Sequence, residues 1–316
     1  MTSPNLPSIL VVGGTGAQGR TVVRELVRDK KYAVTVLNRD VCSPSAVALS
    51  ALGNVTLIPG SYETEKGLRE ALKGQHGVYV NFNSFAMTES MEYFWTFRLY
   101  EIAVQSGVKR LIYSGGNNRP RAHRYAEEYR CSHQATAGRL AEWVESQPLD
   151  LIKWTILDGV VYTEMVPVIL RPLVLPDNTH VFAAPIGDGL IPFAEVVTYG
   201  SASLKGVAEA FERATGKKAV AKDVSQDVWF EAAKARRDPD AKQPTNIPVT
   251  SAGDDTRFTF RQSFGAWWNI WKALRLDVEA INEAQELADE VYPDRLKSVE
   301  DWMRATGYTG EAKAEA

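Results

Sequence analysis

Short apolar runs alternate with amphipathic stretches along the first half of the chain. The runs are rich in β-branched and aliphatic residues and cover 9–12, 33–37, 55–58, 77–82, 108–113 and 150–157. Between them, helical spacing of apolar residues predicts helices over 20–28, 65–72, 88–106 and 132–146, the third capped by Thr88. Strands that alternate with helices predict a parallel, doubly wound sheet of the α/β class.

The pattern changes after about residue 160, which predicts a second and smaller domain. Residues 165–175 are apolar and carry two prolines, and Thr198 is a candidate cap for a helix that runs to about residue 214. Most of the eight tryptophans follow residue 140, with three of them between 264 and 274. We therefore expect domains at 1–160 and 161–316, with some segments of the second returning to the first. Its aromatic residues either line a ligand site or pack a core.

Glycines follow the first apolar run at positions 13, 14, 16 and 19, immediately before the first helical pattern. This strand-to-helix context favours a phosphate-binding turn over an ordinary tight turn. Gly13 and Gly14 would allow the sharp bend, Gly16 the approach of a pyrophosphate and Gly19 close packing of the helix. The helix N-terminus would then face the anion. We expect dinucleotide contacts from this turn and from three later strand ends, namely Gly13, Thr15, Gly16, Ala17, Gln18, Gly19, Asn38, Arg39, Asn83, Ser84 and Gly115.

The residues after the second strand bear on the choice of dinucleotide. An acidic side chain there would bind the 2′-hydroxyl of NAD and repel a 2′-phosphate, but the chain has Asn38 and Arg39. A guanidinium offers a rigid fork of donors to a phosphate, which favours NADP. Alternatively, Arg39 is a solvated surface residue whose charge the adjacent Asp40 offsets.

Composition and charge exclude several other classes. A net charge of −3 without a basic stripe argues against nucleic-acid binding. Two distant cysteines and four scattered histidines provide no metal-ligand spacing, and the cysteine content fits a reducing, cytoplasmic compartment. We find no apolar stretch long enough to cross a bilayer, no signal peptide and no Gly-x-Ser-x-Gly elbow of a serine hydrolase.

The whole chain, most clearly residues 8–212, resembles the NmrA-like family of atypical short-chain dehydrogenases, and four stretches carry the resemblance. They are 12–19 with the glycines, Asn38-Arg39, 113–118 (Tyr-Ser-Gly-Gly-Asn-Asn) and 185–192 (Pro-Ile-Gly-Asp-Gly-Leu-Ile-Pro). The resemblance implies a Rossmann-like lobe that binds NADP(H) and a smaller C-terminal lobe that closes over the nicotinamide. Some members of the family resemble non-catalytic redox sensors that bind a regulatory protein, whereas others reduce small molecules.

The chain departs from the family at the positions of the usual catalytic pair. Short-chain dehydrogenases place Tyr-x-x-x-Lys on the helix before the sixth strand, where this chain has His133 and Ala137, and it has no lysine between 109 and 153. Asp158 follows the sixth strand, where an ionisable group beside the nicotinamide would be costly without a partner or a task. The candidate catalytic residues are Asp158, Arg130, His133 and Tyr129. Each also has a structural alternative: Asp158 as a turn cap, Arg130 and His133 as surface groups, and Tyr129 as a packing residue.

Two functions therefore remain open. The first is an NADPH-dependent reductase of a biosynthetic pathway, which reduces a bulky apolar or aromatic imine, iminium ion or enone, with or without coupled cyclisation. An iminium ion needs hydride and charge stabilisation but no proton donor, so the missing pair would not abolish catalysis. The second is an NADP(H)-sensing regulator that binds a partner protein. The aromatic residues of 88–106 either pack on the sheet or form a homodimer contact.

Overall fold

A computed structural model describes residues 6–194, 198–234, 237–242, 257–274 and 278–311. The described residues form two compact units, one made of 6–119 and 132–159 and the other mainly of 120–131, 160–242 and 258–311. The chain therefore passes between the units near residues 120, 132 and 160. Within the described ranges, no helix is long and apolar enough to cross a membrane.

The first unit is built on a parallel sheet, to which six strands of the described chain contribute. These are β1 (Ser8–Val12), β2 (Ala33–Asn38), β3 (Val55–Pro59), β4 (Gly77–Val80), β5 (Arg110–Ser114) and β6 (Lys153–Leu157). Their order is β3-β2-β1-β4-β5-β6, so the winding reverses between β1 and β4. This is the predicted Rossmann-like doubly wound sheet, and ligands bind such sheets at the carboxyl edge of the strands near the reversal.

Helices cover both faces of this sheet. They are α1 (Ala17–Asp29), α2 (Pro44–Ser50), α3 (Glu65–Leu72), α4 (Glu89–Gln105), the single turn α5 (Arg119–Ala122), which leads out of the unit, and α6 (Ser132–Glu145). Alternate residues of β1 enter opposite cores: Leu10 and Val12 pack in one, whereas Val11 packs in the other. This two-sided burial explains why the strand reads as a continuous apolar run. As predicted, Thr88 caps α4, where its hydroxyl accepts a hydrogen bond from the Met91 amide.

The second unit contains two small sheets among its described residues. The strands are β7 (Val161–Tyr162), β8 (Leu173–Val174), β9 (His180–Ala184), β10 (Ile191–Ala194), β11 (Thr198–Ala202) and β12 (Ala219–Asp223). Their orders are β11-β10-β7 and β12-β9-β8. The helices are α7 (Val166–Ile169), α8 (Leu204–Thr215), α9 (Gln226–Ala233), α10 (Phe260–Ala273), α11 (Val278–Val291) and α12 (Val299–Thr306).

The structure corrects the prediction for Thr198 and decides between the two interpretations of the tryptophans. Thr198 begins strand β11 and does not cap a helix; Ser203 caps α8, because its hydroxyl accepts a hydrogen bond from the Gly206 amide. The tryptophans at 267, 268, 271 and 302 are buried in the unit's main core. Their density therefore reflects packing of α10 and α12 in this unit.

Candidate nucleotide-binding site

The glycine-rich turn joins β1 to α1 at the carboxyl edge of the sheet. Gly13 has a φ of +78°, which favours glycine, and its carbonyl accepts a 2.9 Å hydrogen bond from the Gly16 amide. Gly14 does not share the positive φ; a Cβ there would lie 2.7 Å from Val36 of β2, so this glycine serves close packing. Gly16 is the N-cap of α1 and supplies no side-chain acceptor, which leaves first-turn amides free to bind an anion.

Gly19 allows the first turn of α1 to pack directly on this bend. A Cβ at Gly19 would lie 2.1 Å from the Gly13 carbonyl oxygen and 2.7 Å from the Gly14 Cα. Real Cβ atoms do not approach backbone this closely, so only glycine permits the observed position of the helix. A Cβ at Gly16 would meet only the Gly13 oxygen, at 3.2 Å. The bend and the first-turn amides of α1 thus form a backbone cradle of the kind that binds phosphate groups in proteins.

Side-chain hydrogen bonds connect this turn to the ends of two other strands, β2 and β5. Asn38, which ends β2, donates from Nδ2 to the Thr15 hydroxyl at 2.9 Å. Gln18 is 3% exposed, and its Oε1 accepts a 2.8 Å hydrogen bond from the hydroxyl of Ser114, which ends β5. Asn38 and Gln18 thus hold the turn against the sheet, because their side chains are hydrogen-bonded to other residues of the protein.

Arg39 is exposed beside this edge, and its guanidinium forms no ion pair within the described ranges. The neighbouring Asp40 carboxylate accepts a 2.9 Å hydrogen bond from the Cys42 amide. The Arg39 charge acts on Tyr62, whose pKa is raised mainly by burial, and the charge opposes that rise. Because no carboxylate of the described residues pairs with it, the Arg39 guanidinium is available to bind a phosphate.

Ser84, which follows the end of β4, forms a part-buried polar contact with Glu92. The Ser84 hydroxyl donates a 2.8 Å hydrogen bond to Oε1 of Glu92, which is 3% exposed. Burial raises the pKa of Glu92 to about 7, although the Ser84 hydrogen bond opposes the rise. Sequence reasoning missed Glu92, yet its spacing of 3, 4 and 7 residues from the buried Trp95, Thr96 and Leu99 places it on the core face of α4.

Asp158 lies at the end of β6, held by the loop that follows β5. Its carboxylate accepts hydrogen bonds from the Asn117 side chain at 2.8 Å and backbone at 3.3 Å, and Arg119 lies 3.5 Å away. Gly116 has a φ of +127°, and a Cβ there would lie 2.8 Å from Oδ1 of Asp158. Burial raises the pKa of Asp158, whereas Arg119 and the Asn117 amide oppose the rise. Arg119, which sequence reasoning missed, is thus the cation beside Asp158.

The other candidate catalytic residues have different surroundings. His133 lies in the first unit at the start of α6, with its ring centroid 4.6 Å from that of Phe85, and burial lowers its pKa to about 4. Its imidazole is therefore neutral at pH 7. Tyr129 and Arg130 belong to the second unit, where Tyr129 stacks on His123 at 3.9 Å. Arg130 lies 3.7 Å from Glu127 and 4.7 Å from the centre of the Phe258 ring.

The remaining predicted positions are Gly115 and Asn83. The Gly115 amide donates to the Leu157 carbonyl at 3.1 Å, and a Cβ there would lie 2.6 Å from the Tyr113 ring. Because Gly115 has no side chain, the end of β5 can pack closely against the Tyr113 ring. Asn83 is exposed at the end of β4, and its carboxamide oxygen accepts a 3.2 Å hydrogen bond from the Phe85 amide. No cluster of metal-ligating side chains occurs in the ranges that the structure describes.

A parallel doubly wound sheet with a glycine turn before α1 defines a Rossmann-like fold with the elements of a nucleotide-binding edge. Residues 7–156, just under half of the chain, match the model of the NmrA-like family. The resemblance seen in the sequence is thereby confirmed for this part of the protein.

Curated relatives match a similar fraction of the chain. An NmrA-like family domain-containing oxidoreductase of Penicillium ochrochloron is 35% identical over 115 residues, which cover 34% of this chain and 34% of the relative. An NmrA-like family domain-containing protein of Dictyostelium discoideum is 33% identical over 106 residues, covering 34% of this chain and 35% of the relative. The matches thus span about a third of the relatives' length.

Solved structures resemble nearly the whole chain at low identity, which shows the fold. The negative transcriptional regulator NmrA has a TM-score of 0.71 at 18% identity, covering 96% of this chain and 99% of that one. An NADPH-dependent quinone oxidoreductase of Escherichia coli has a TM-score of 0.59 at 16% identity, covering 95% and 100%. Both a regulator and an enzyme therefore share this architecture.

Proposed function

We propose that this protein is an NADP(H)-dependent oxidoreductase. The observation that carries the proposal is the glycine cradle at the start of α1, with Arg39 on the same edge of the sheet; its guanidinium forms no ion pair with the residues that the structure describes. The cradle would hold the pyrophosphate, and Arg39 would bind the 2′-phosphate that distinguishes NADP from NAD. NmrA has been solved with NADP and with NAD, and several relatives bear the name oxidoreductase, which supports a nicotinamide dinucleotide as the ligand and redox chemistry as the function.

Replacing Arg39 with alanine should remove the preference for NADPH over NADH. We expect NADPH affinity to fall about tenfold and NADH affinity to stay within about twofold, because one charge-assisted contact to phosphate is lost. Calorimetric titration with both nucleotides measures this. Arg110→Ala is the matched control, since Arg110 is an exposed arginine at the amino end of β5, on the opposite edge of the sheet. An unchanged NADPH to NADH ratio in Arg39→Ala would remove Arg39 from the site.

For the substrate, we propose a bulky apolar or aromatic imine, iminium ion or enone, with ring closure an optional further step. When bound, NADPH supplies a hydride. Asp158 would orient a cationic or hydrogen-bonding group of the substrate, while Arg119 and Asn117 fix its carboxylate. Because His133 is neutral at pH 7, we favour chemistry that needs no proton from it. Tyr129 and Arg130 remain candidate catalytic residues from their positions in the sequence.

Replacing Asp158 with asparagine should lower turnover about ten- to a hundredfold and leave NADPH affinity within about twofold, because the negative charge acts on the substrate. The readout is NADPH oxidation with a panel of cyclic imines, enones and quinones. Asp150→Asn, an exposed aspartate that precedes β6 at its amino end, is the matched control. Full turnover in Asp158→Asn would show that the carboxylate serves only to hold the loop at Asn117.

The second candidate is an NADP(H)-sensing regulator. It is favoured by the TM-score of 0.71 with the transcriptional regulator NmrA and by the missing Tyr-x-x-x-Lys pattern on α6. A homodimer through α4 belongs to the same set of proposals, since Phe94 is 53% exposed and Phe97 is 36% exposed on that helix. Turnover of any substrate on the panel supports the enzyme, whereas tight nucleotide binding without turnover supports the regulator.

A further inference from the structure

The Ser84–Glu92 contact lies where the proposed nucleotide would meet the end of β4. Ser84 is half-buried, four residues after Val80, the last residue of the buried strand β4. One side of its hydroxyl faces Glu92 at 2.8 Å, and the residue is otherwise partly accessible at the ligand-binding edge. Glu92 is held within α4 and has no cationic partner among the described residues.

The protonation state of Glu92 decides the direction of this hydrogen bond. A carboxylate can only accept, so the Ser84 hydroxyl must donate its one proton inward. A protonated carboxyl group can donate to Ser84 instead, and the serine proton is then free to point outward. A nucleotide offers phosphate, ribose and carboxamide oxygens, all of which are acceptors. Ser84 can therefore donate to the nucleotide only when Glu92 donates to Ser84.

The groups around Glu92 bring its pKa to about 7, so that its protonated and ionised forms are both populated at neutral pH. Burial is the main cause of its raised pKa, and the charge of Glu89, one turn earlier on α4, adds to it. Tyr62, which follows β3, and Tyr113 on β5 also face Glu92, and each has its own pKa raised mainly by burial. These phenols are neutral below pH 9, so Glu89 is the charged neighbour that matters in this range.

We propose that Glu92 is a positioning residue that takes up one proton when NADP(H) binds, so that Ser84 can donate a hydrogen bond to the nucleotide. The inference rests on the proposed function, because it concerns the same nucleotide site. Above the pKa of Glu92, binding must first protonate the carboxylate. The affinity then falls as the pH rises.

The test is the pH dependence of NADPH affinity between pH 7 and 9, measured by titration calorimetry. This range lies above the second ionisation of the 2′-phosphate, which falls near pH 6 for phosphate esters. We expect the wild-type dissociation constant to rise about fiftyfold over the range, because the protonated fraction of Glu92 falls from about a half at pH 7 to about one hundredth at pH 9. Glu92→Gln should bind with nearly constant affinity, because the carboxamide donates to Ser84 at every pH. Glu101→Gln removes an exposed carboxylate nine residues after Glu92 on the same helix and should keep the wild-type slope.

Two further measurements guard against an unfolded variant. Wild-type titrations at pH 8 in buffers of different ionisation enthalpy should show uptake of up to one proton. Ser84→Ala should bind more weakly and lose the pH dependence. Wild-type affinity that does not vary between pH 7 and 9, or a Glu92→Gln protein that retains the slope, would overturn this inference alone. Failure of the wild type to bind NADPH at every pH would overturn the proposed function as well.

Discussion

Replacing Gly19 with alanine is expected to lower NADPH affinity at least about a hundredfold, equivalent to about 2.7 kcal/mol. The added Cβ would lie 2.1 Å from the Gly13 carbonyl oxygen, and all three of its nearest neighbours are backbone atoms. Backbone cannot rotate away as a flexible side chain does, so α1 must move off the bend. That movement displaces the amides that would bind the pyrophosphate.

A matched control separates this clash from the general effect of adding a methyl group to a helix. Gly206 is the third residue of α8, as Gly19 is of α1, and a Cβ there would make an ordinary 3.4 Å contact with Ser203. Gly206→Ala should leave NADPH affinity unchanged and hold or raise the free energy of unfolding, since alanine favours helix. If Gly19→Ala bound NADPH as tightly as the wild type does, the observed position of α1 would not be needed for binding.

Replacing Glu92 with glutamine should raise the free energy of unfolding at pH 8 by about 3 kcal/mol and change it little near pH 4.5. Burial raises the pKa of Glu92 from 4.5 to about 7, so the folded protein binds this proton more tightly than the unfolded chain. The group's stabilising contribution is therefore fully present below pH 4.5 and is lost as the pH rises through 7. The difference of about 2.5 pKa units corresponds to about 3 kcal/mol.

Urea unfolding of wild type and Glu92→Gln at pH 4.5 and pH 8 measures this difference. Glu101→Gln is the control on the same helix, where the exposed Glu101 carboxylate forms an ion pair with Arg98. We expect that variant to differ from wild type by the same small amount at both pH values. A Glu92→Gln protein that gains nothing at pH 8 would show that the buried carboxylate is well solvated or paired in the folded state.

The sheet of the first unit could be predicted because each of its strands is a short apolar run between polar or glycine-rich segments. The β1 strand and the bend at Gly13 are local features, set by residues adjacent in the chain. Helix α2 was not predicted, although Ser43 and Pro44 provide a typical helix start. Thr198 was placed wrongly at a helix start, since the pairing of β11 with β10, which is not local, decides the structure there.

The polar contacts of the candidate site were harder to predict than the strands. Asp158 was identified by its place after β6, but its partner Arg119 is 39 positions away in the chain and reaches it through a loop conformation that depends on Gly116. Glu92 carries no recognisable motif; its importance comes from burial by α4 packing and from Ser84, eight residues earlier. Such contacts depend on tertiary packing, whereas the glycine turn depends on local backbone geometry.

The most direct test of the central claim is a calorimetric titration of the purified protein with NADPH and, separately, NADH at pH 7. The account predicts that NADPH binds with micromolar or tighter affinity, about tenfold tighter than NADH. Failure of both nucleotides to bind at millimolar concentration, or a preference for NADH, would contradict the assignment of the glycine cradle and Arg39 to NADP(H).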